Sequence, residues 1–238
     1  MDGSSGRRAI PPPVNHLLPN LPNAVKADFK SKYNGTRRYH CAANFSIEGL
    51  TIMLAFLVLL LAALSRLLPH IFHGMAYNFT AVGAGLLFFG SRRPRWQSVL
   101  AVAVMALMDV ILTTKVYGYA FHLSGYLVTW AWYAAVCLMG SALLRKVTVL
   151  RVVDGVLASA TSFFLLSNFM MWANSPSFGA AAMYPHSFRG LMSCYAAGLP
   201  FFGNDLISTG VFAAAFFGLP VLLTRLIENL HSTHQPTV

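Results

Sequence analysis

The sequence predicts an all-α integral membrane protein with six transmembrane helices and both termini in the cytoplasm. Two observations predict this class: six long apolar stretches, and an uneven distribution of basic residues between the segments that join them. The chain has 238 residues, of which 56% are hydrophobic and only 10% are charged, and its mean hydropathy is +0.59. This composition is typical of integral membrane proteins and not of soluble globular domains.

The six spans follow from length and charge, because a helix needs about 20 apolar residues to cross a bilayer. Their approximate bounds are 49–66, 75–91, 96–114, 123–144, 152–172 and 205–224. Between the fifth and sixth spans, the stretch from Arg189 to Leu199 is followed by Pro200. This stretch predicts a separate short helix that lies at the membrane interface or dips into it.

The distribution of basic residues predicts the orientation, because cytoplasmic loops carry an excess of Lys and Arg. With six spans, 14 of the 17 Lys and Arg residues fall on the side of the two termini. The other side holds only Arg66, Lys115 and Arg189. Both termini are therefore predicted to be cytoplasmic, and the chain is expected to be a multi-pass protein of the inner, cytoplasmic membrane.

The two ends of the chain lie outside the membrane domain predicted over residues 48–226. Residues 1–47 contain Pro11, Pro12 and Pro13 and scattered basic residues, without an apolar period. This segment is predicted to be a disordered cytoplasmic tail, and it is too long and too polar to be a signal peptide. Residues 227–238 are predicted to be a cytoplasmic C-terminal tail.

The formal net charge of +10 does not indicate a nucleic-acid partner, because the basic residues occur in short clusters beside apolar spans. No metal site is expected: His70 and His73 are spaced as a chelating pair on a helix, but they follow Pro69 in a predicted loop. Ser124 follows His122 closely, yet nothing around it indicates a nucleophile. We therefore expect no enzyme activity, no catalytic residue and no cofactor.

Polar side chains within or beside the spans are the candidate binding residues. Asp109 lies one to two turns inside the third span, where a carboxylate costs several kcal/mol unless it is paired or hydrated. It is interpreted as a substrate or proton site, as the partner of Arg66 or Lys115 in a structural ion pair, or as both. Asn78 precedes a glycine-rich run that allows a ligand or another helix to approach closely.

Trp172 also has two interpretations. Tryptophan is common in interfacial belts, and the asparagines on either side of it make a binding role the alternative. Together these residues lie at the face opposite the basic clusters, which predicts an outward-facing pocket for a small molecule. The predicted pocket residues are Arg66, Asn78, Asp109, Tyr117, Asn168, Trp172, Tyr184 and Asn204.

Small residues recur at four-residue spacing on the last span, at Gly210, Ala214 and Gly218. In lipid such stripes promote helix packing, either within the chain or against a partner that docks from the membrane. The sequence has no Walker motif, so the chain itself is not expected to hydrolyse ATP.

Several of these residues also carry a resemblance to known proteins. The motifs that carry it are the run Asn78-Phe79-Thr80-Ala81-Val82-Gly83-Ala84, the Asp109 span, Asn168 with Trp172, Tyr184-Pro185-His186, Gly190-Leu191, Cys194-Tyr195, Leu199-Pro200-Phe201-Phe202 and Asn204. Over residues 50–225 the chain resembles an uncharacterised family of bacterial membrane proteins described only as transport proteins. That family is similar to the substrate-binding S components of energy-coupling-factor vitamin transporters.

The resemblance implies six helices, cytoplasmic termini and a substrate pocket open to the outside. It also implies partners, namely a transmembrane coupling protein and ABC-type ATPases. Two features depart from the pattern. S components usually have an Ala-x-x-x-Ala face on the first helix, whereas Ala55 and Ala62 are seven residues apart, and the related family would have an acidic residue where this chain has Thr209.

These observations predict a membrane protein that binds and takes up a small, vitamin-like organic solute. Two alternatives remain open: a non-transporting structural subunit of a membrane complex, and a proton-driven secondary transporter.

Overall fold

The computed structural model describes residues 49–71, 78–176 and 183–233, without the side chains of 223, 224 and 226–233. The chain divides into two units, Met1–Leu50 and Thr51–Val238, and almost all described residues belong to the second. The predicted disordered tail, residues 1–47, lies outside the described residues.

All regular structure in the described residues is helical, as predicted. Helix α1 covers residues 49–65, and the short α2 follows it at Leu68–Ile71. A 3₁₀ turn, Arg95–Gln97, precedes α4, a π-helical turn, Leu112–Val116, follows it, and a second 3₁₀ turn, Leu123–Gly125, precedes α5. The remaining helices are α3 at Val82–Arg92, α4 at Ser98–Ile111, α5 at Leu127–Leu143, α6 at Val149–Ala173 and α7 at Phe188–Thr233.

Five helical segments are long and apolar enough to cross a membrane, so the protein is a multi-pass membrane protein. They are Gly49–Ile71, Arg95–Val116, Leu123–Leu143, Val149–Ala173 and Phe188–Leu222, with hydropathies between 1.4 and 2.4. Many of their large apolar side chains are exposed, among them Leu57, Leu107 and Leu157. Exposed apolar side chains are what a lipid-facing surface requires.

Helix α3, in the region of the predicted second span, is short and central. Its 11 residues give a length of about 16 Å, roughly half the hydrocarbon thickness of a bilayer. Every residue from Val82 to Gly90 is buried. Glycines allow α3 to pack closely against its neighbours. A Cβ at Gly85 would overlap the Ala62 side chain, and a Cβ at Gly90 would overlap the Cys137 carbonyl.

Contacts between helices give their relative directions. Helices α1 and α3 are antiparallel: the Ala81 N–H donates to the Ser65 hydroxyl at 2.8 Å, and further along, the rings of Phe56 and Phe89 lie 5.4 Å apart. Helices α6 and α7 are also antiparallel. The Tyr195 hydroxyl donates to the Leu165 carbonyl at 3.0 Å near the C-terminal end of α6.

The prediction of a separate interfacial helix between Arg189 and Leu199 is wrong. Helix α7 runs without a break from Phe188 to Thr233 and contains both Pro200 and Pro220. Proline removes one backbone hydrogen bond but is tolerated in membrane helices, where neighbouring groups satisfy the freed carbonyl. The helix also continues beyond residue 226, where the membrane domain was predicted to end.

Candidate functional site

Two of the predicted asparagines line one cleft, between the C-terminal part of α6 and the N-terminal part of α7. This asparagine cleft has a volume of about 350 Å³. Tyr184, in the segment before α7, also lines it. The complete lining is Asn78, Ser167, Asn168, Met171, Tyr184, Cys194, Ala197, Gly198 and Phe201.

The cleft narrows towards the interior of the helix bundle. The narrow end has a volume of only about 10 Å³ and shares Asn78, Asn168 and Phe201 with the wider part. Three phenylalanines, Phe163, Phe164 and Phe202, and one carboxylic acid, Asp205, complete its wall. The amide groups of Asn78 and Asn168 therefore line both parts, and the narrow part adds aromatic rings and a single acid.

The backbone and the neighbouring helix position the two asparagines. Asn78 has a φ of 65°, in the left-handed region that asparagine enters more readily than most residues. The Asn168 amide donates to the Phe164 carbonyl at 2.8 Å. Across from it, α7 has Gly198, where a Cβ would overlap the Asn168 side chain. Glycine at 198 thus leaves room for the Asn168 amide in the cleft.

Trp172 supports the cleft from outside. Its indole Nε1 donates to the Pro185 carbonyl at 2.9 Å, and its own carbonyl lies 3.1 Å from His186 Nε2. The rings of Trp172 and His186 are 5.4 Å apart. These contacts hold the segment that contains Tyr184 against the end of α6, so Trp172 is a positioning residue.

Arg66 and Asp109 belong to a second cluster, between α1, α4 and α5. Arg66 Nη1 and Asp109 Oδ1 are 2.5 Å apart, and the Trp130 indole donates to Asp109 Oδ2 at 2.9 Å. The Asp109 side chain is 1% exposed. Both carboxylate oxygens therefore have partners within the protein, as in the structural alternative given for Asp109 above.

The two remaining predicted residues do not line the asparagine cleft. Tyr117 follows the π-helical turn, is half exposed and packs its ring 6.1 Å from the His70 ring. Asn204 is partly buried on α7 and is not among the residues that line the asparagine cleft. The eight predicted residues thus do not form one site: three line the cleft, and Trp172 supports it.

Asp205 is the residue that the sequence reasoning missed. It is 8% exposed, and it lies one turn before Thr209, where the related family was expected to have an acid. The sixth span was predicted to begin at residue 205, at the membrane surface, where a carboxylate costs little. Because α7 begins at Phe188, Asp205 lies well inside the helix, where a carboxylate is expensive.

Residues 46–230 match the family of unknown function DUF6580. The chain is a member of that family. No curated protein and no solved structure matches it. The matched region contains every described span, the asparagine cleft and the Arg66–Asp109 cluster.

Proposed function

We propose that this DUF6580 protein binds a small organic solute in the asparagine cleft and serves its uptake across the membrane. One observation carries this proposal: Asn78, Asn168 and Tyr184 come from three separate parts of the chain and line one cavity of about 350 Å³. Volumes of about 300–1,000 Å³ are usual for small-molecule sites. Asn168 lies within α6, where a polar side chain is costly, and a ligand offers a reason for it.

The lining supports a planar, polar ligand, such as a vitamin-like heterocycle. Each asparagine amide can both donate and accept hydrogen bonds. Phe201 and Tyr184 offer aromatic faces, and rings prefer offset or edge-on contacts with other rings. Asp205 gives the narrow end one acidic group that can accept a hydrogen bond from a donor on the ligand.

The topology proposed with this function is six crossings of the inner, cytoplasmic membrane, with both termini in the cytoplasm. The contacts of α1 support it. Helix α3 is antiparallel to α1. Helix α4 runs parallel to α1, because the segment that follows α1 contacts the C-terminal end of α4 and the turn after it: Arg66 pairs with Asp109, and His70 packs on Tyr117. The short α3 therefore runs back across the membrane between α1 and α4. The excess of basic residues on the other face makes the asparagine cleft outward-facing.

The same proposal makes the protein a binding subunit, like the S components that it resembles. The sequence has no nucleotide-binding motif, so the energy for uptake would come from a transmembrane coupling protein with ABC-type ATPases. A proton-driven secondary transporter is the second candidate, and Asp205 favours it. A buried carboxylate beside a ligand cleft can exchange a proton as the ligand binds.

Ligand-dependent thermal stabilisation of the purified protein tests the binding function, because a ligand that binds only the folded state raises its stability. Vitamins and purine-like compounds are the first screen. Asn168→Ala should weaken binding of a stabilising compound by about 1–3 kcal/mol, the scale for one lost buried polar partner.

Asn174→Ala is the matched control for this experiment. Asn174 makes the same bond to the carbonyl four residues earlier, at 2.8 Å to Met170, but it does not line the asparagine cleft. A compound that binds the Asn168→Ala variant as well as it binds the Asn174→Ala variant would contradict the proposed site.

A further inference from the structure

A second cavity, larger than the asparagine cleft, lies between the N-terminal half of α6 and the C-terminal half of α7. This apolar groove has a volume of about 700 Å³. Its floor consists of buried apolar side chains, Val156, Ala213 and Phe217. Val149, Leu157 and Leu222 border it and are exposed, so the groove opens on the surface that faces lipid.

One wall of the apolar groove is the small-residue stripe of α7, Gly210, Ala214 and Gly218. A Cβ built at Gly210 or Gly218 meets no atom within 4 Å. The stripe is therefore not used for close packing between α6 and α7. It leaves space along the helix that a flexible apolar chain can occupy.

The end of the groove at the start of α6 is electropositive. Arg225 lines this end together with Thr148 and Val149, and α6 begins there with no acidic residue in its first turn. The Thr148 side chain caps this helix start by accepting from the Arg151 N–H at 3.4 Å, and the helix dipole favours an anion beside it. Arg151 and Asp154 are both exposed near this end, and neither lines the groove. Among the described residues that line it, Arg225 is the one with a charged side chain.

We propose that the apolar groove binds an anionic phospholipid, with one acyl chain along α7 and the headgroup phosphate at Arg225 and the start of α6. The match is one of charge and shape: a phospholipid is apolar along its chain and negative at one end, and the groove is apolar along its length and positive at one end. Basic pockets between membrane helices are known to select anionic headgroups. A second copy of this chain is apolar at this depth. It would leave the positive charge of Arg225 at the end of the groove without a partner.

Native mass spectrometry of the full-length protein tests this proposal. The detergent-purified protein is incubated with equal amounts of phosphatidylglycerol and phosphatidylcholine that have the same acyl chains, and the retained lipids are counted. Phosphatidylglycerol should be retained in preference. Arg225→Gln should lower that preference about fivefold, the ratio that corresponds to about 1 kcal/mol for one basic residue near the headgroup.

Filling the groove should remove both lipids, since it acts on the acyl chain and not on the headgroup. Gly218→Leu and Ala214→Leu place a larger side chain in the groove and do not enter the core, so both variants should fold. Gly203→Leu is the matched control: it lies on the same helix, its Cβ also meets nothing within 4 Å, and it is outside the groove. Arg95→Gln, an exposed charge outside the groove, controls for general charge loss.

Equal retention of the two lipids by the wild-type protein would overturn the proposal. So would a preference that Arg225→Gln and Arg95→Gln change to the same degree. If Gly218→Leu instead converts a dimer into a monomer without changing lipid retention, the groove is an interface between two copies of this chain. The outcome is independent of the solute proposed for the asparagine cleft.

Discussion

Arg66 and Asp109 form an ion pair that joins α1 to α4, with Nη1 and Oδ1 2.5 Å apart. The two charges compensate each other within the bundle, and the Trp130 indole donates to the other carboxylate oxygen. A buried charge that loses its partner is left uncompensated, which typically costs more than the intact pair contributes. The pair is therefore best understood as part of the packing of α1, α4 and α5, and its loss should affect stability first.

The first prediction is that Asp109→Asn destabilises the protein, since it leaves Arg66 without a counter-charge. The expected loss is about 3–5 kcal/mol, the usual cost of breaking a buried pair from one side. The melting temperature of the purified protein measures it. Replacing both residues, as Arg66→Met with Asp109→Leu, should recover part of the loss. If the Asp109→Asn variant melts like the wild type but no longer binds solute, Asp109 is a binding residue and the structural interpretation is wrong.

The second prediction concerns the close contact between α3 and α5. Gly90→Ala should destabilise the protein by about 1–3 kcal/mol, the scale for overpacking, because its Cβ would overlap the Cys137 carbonyl. Gly203→Ala, whose Cβ meets nothing within 4 Å, should be neutral or stabilising, since alanine favours the helix more than glycine. Equal melting temperatures for the two variants would contradict the central placement of α3.

The third prediction concerns the support of Tyr184 by Trp172. Trp172→Phe keeps an aromatic ring but removes the indole donor to the Pro185 carbonyl, a bond worth about 0.5–1.5 kcal/mol. Hydrogen exchange should become faster in peptides that cover residues 183–187, and a solute of the asparagine cleft should bind more weakly. The exposed Trp96 provides the control as Trp96→Phe. Unchanged exchange in this segment would remove Trp172 from the positioning role.

The sequence predicted the helical membrane class and the bounds of the middle spans to within a few residues. The spans predicted at 96–114, 123–144 and 152–172 correspond to Arg95–Val116, Leu123–Leu143 and Val149–Ala173. These features depend on the length and polarity of single segments. The cleft depends instead on how helices are rotated against one another, which no single segment contains. Asn168 and Gly198 are far apart in the chain, and only packing brings them together.

The missed Asp205 shows the same limit at one residue. Its importance depends on whether a helix begins before it, and Pro200 indicated a break that the structure does not have. Once α7 is continuous, the aspartate is buried at the narrow end of the cleft. A search for acidic residues on either side of the prolines of an apolar segment would have found it.

The last prediction separates the two mechanisms of uptake proposed above. A binding subunit that lacks a nucleotide site should bind its solute after purification but should not concentrate it in proteoliposomes, with or without a proton gradient. Asp205→Asn should then weaken solute binding by about 1–3 kcal/mol, the cost of one lost buried polar partner, at every pH at which the wild type binds. A proton-driven transporter behaves differently, because proton exchange at Asp205 would couple the gradient to solute movement. In that case the chain alone concentrates the solute when the gradient is imposed, and Asp205→Asn abolishes concentration while it retains exchange of solute across the membrane.

Asp154→Asn, which changes an exposed aspartate on α6 away from the cleft, is the matched control and should change neither measurement. Concentrative uptake by the wild type that Asp205→Asn does not alter would place the coupling group elsewhere and would contradict both mechanisms.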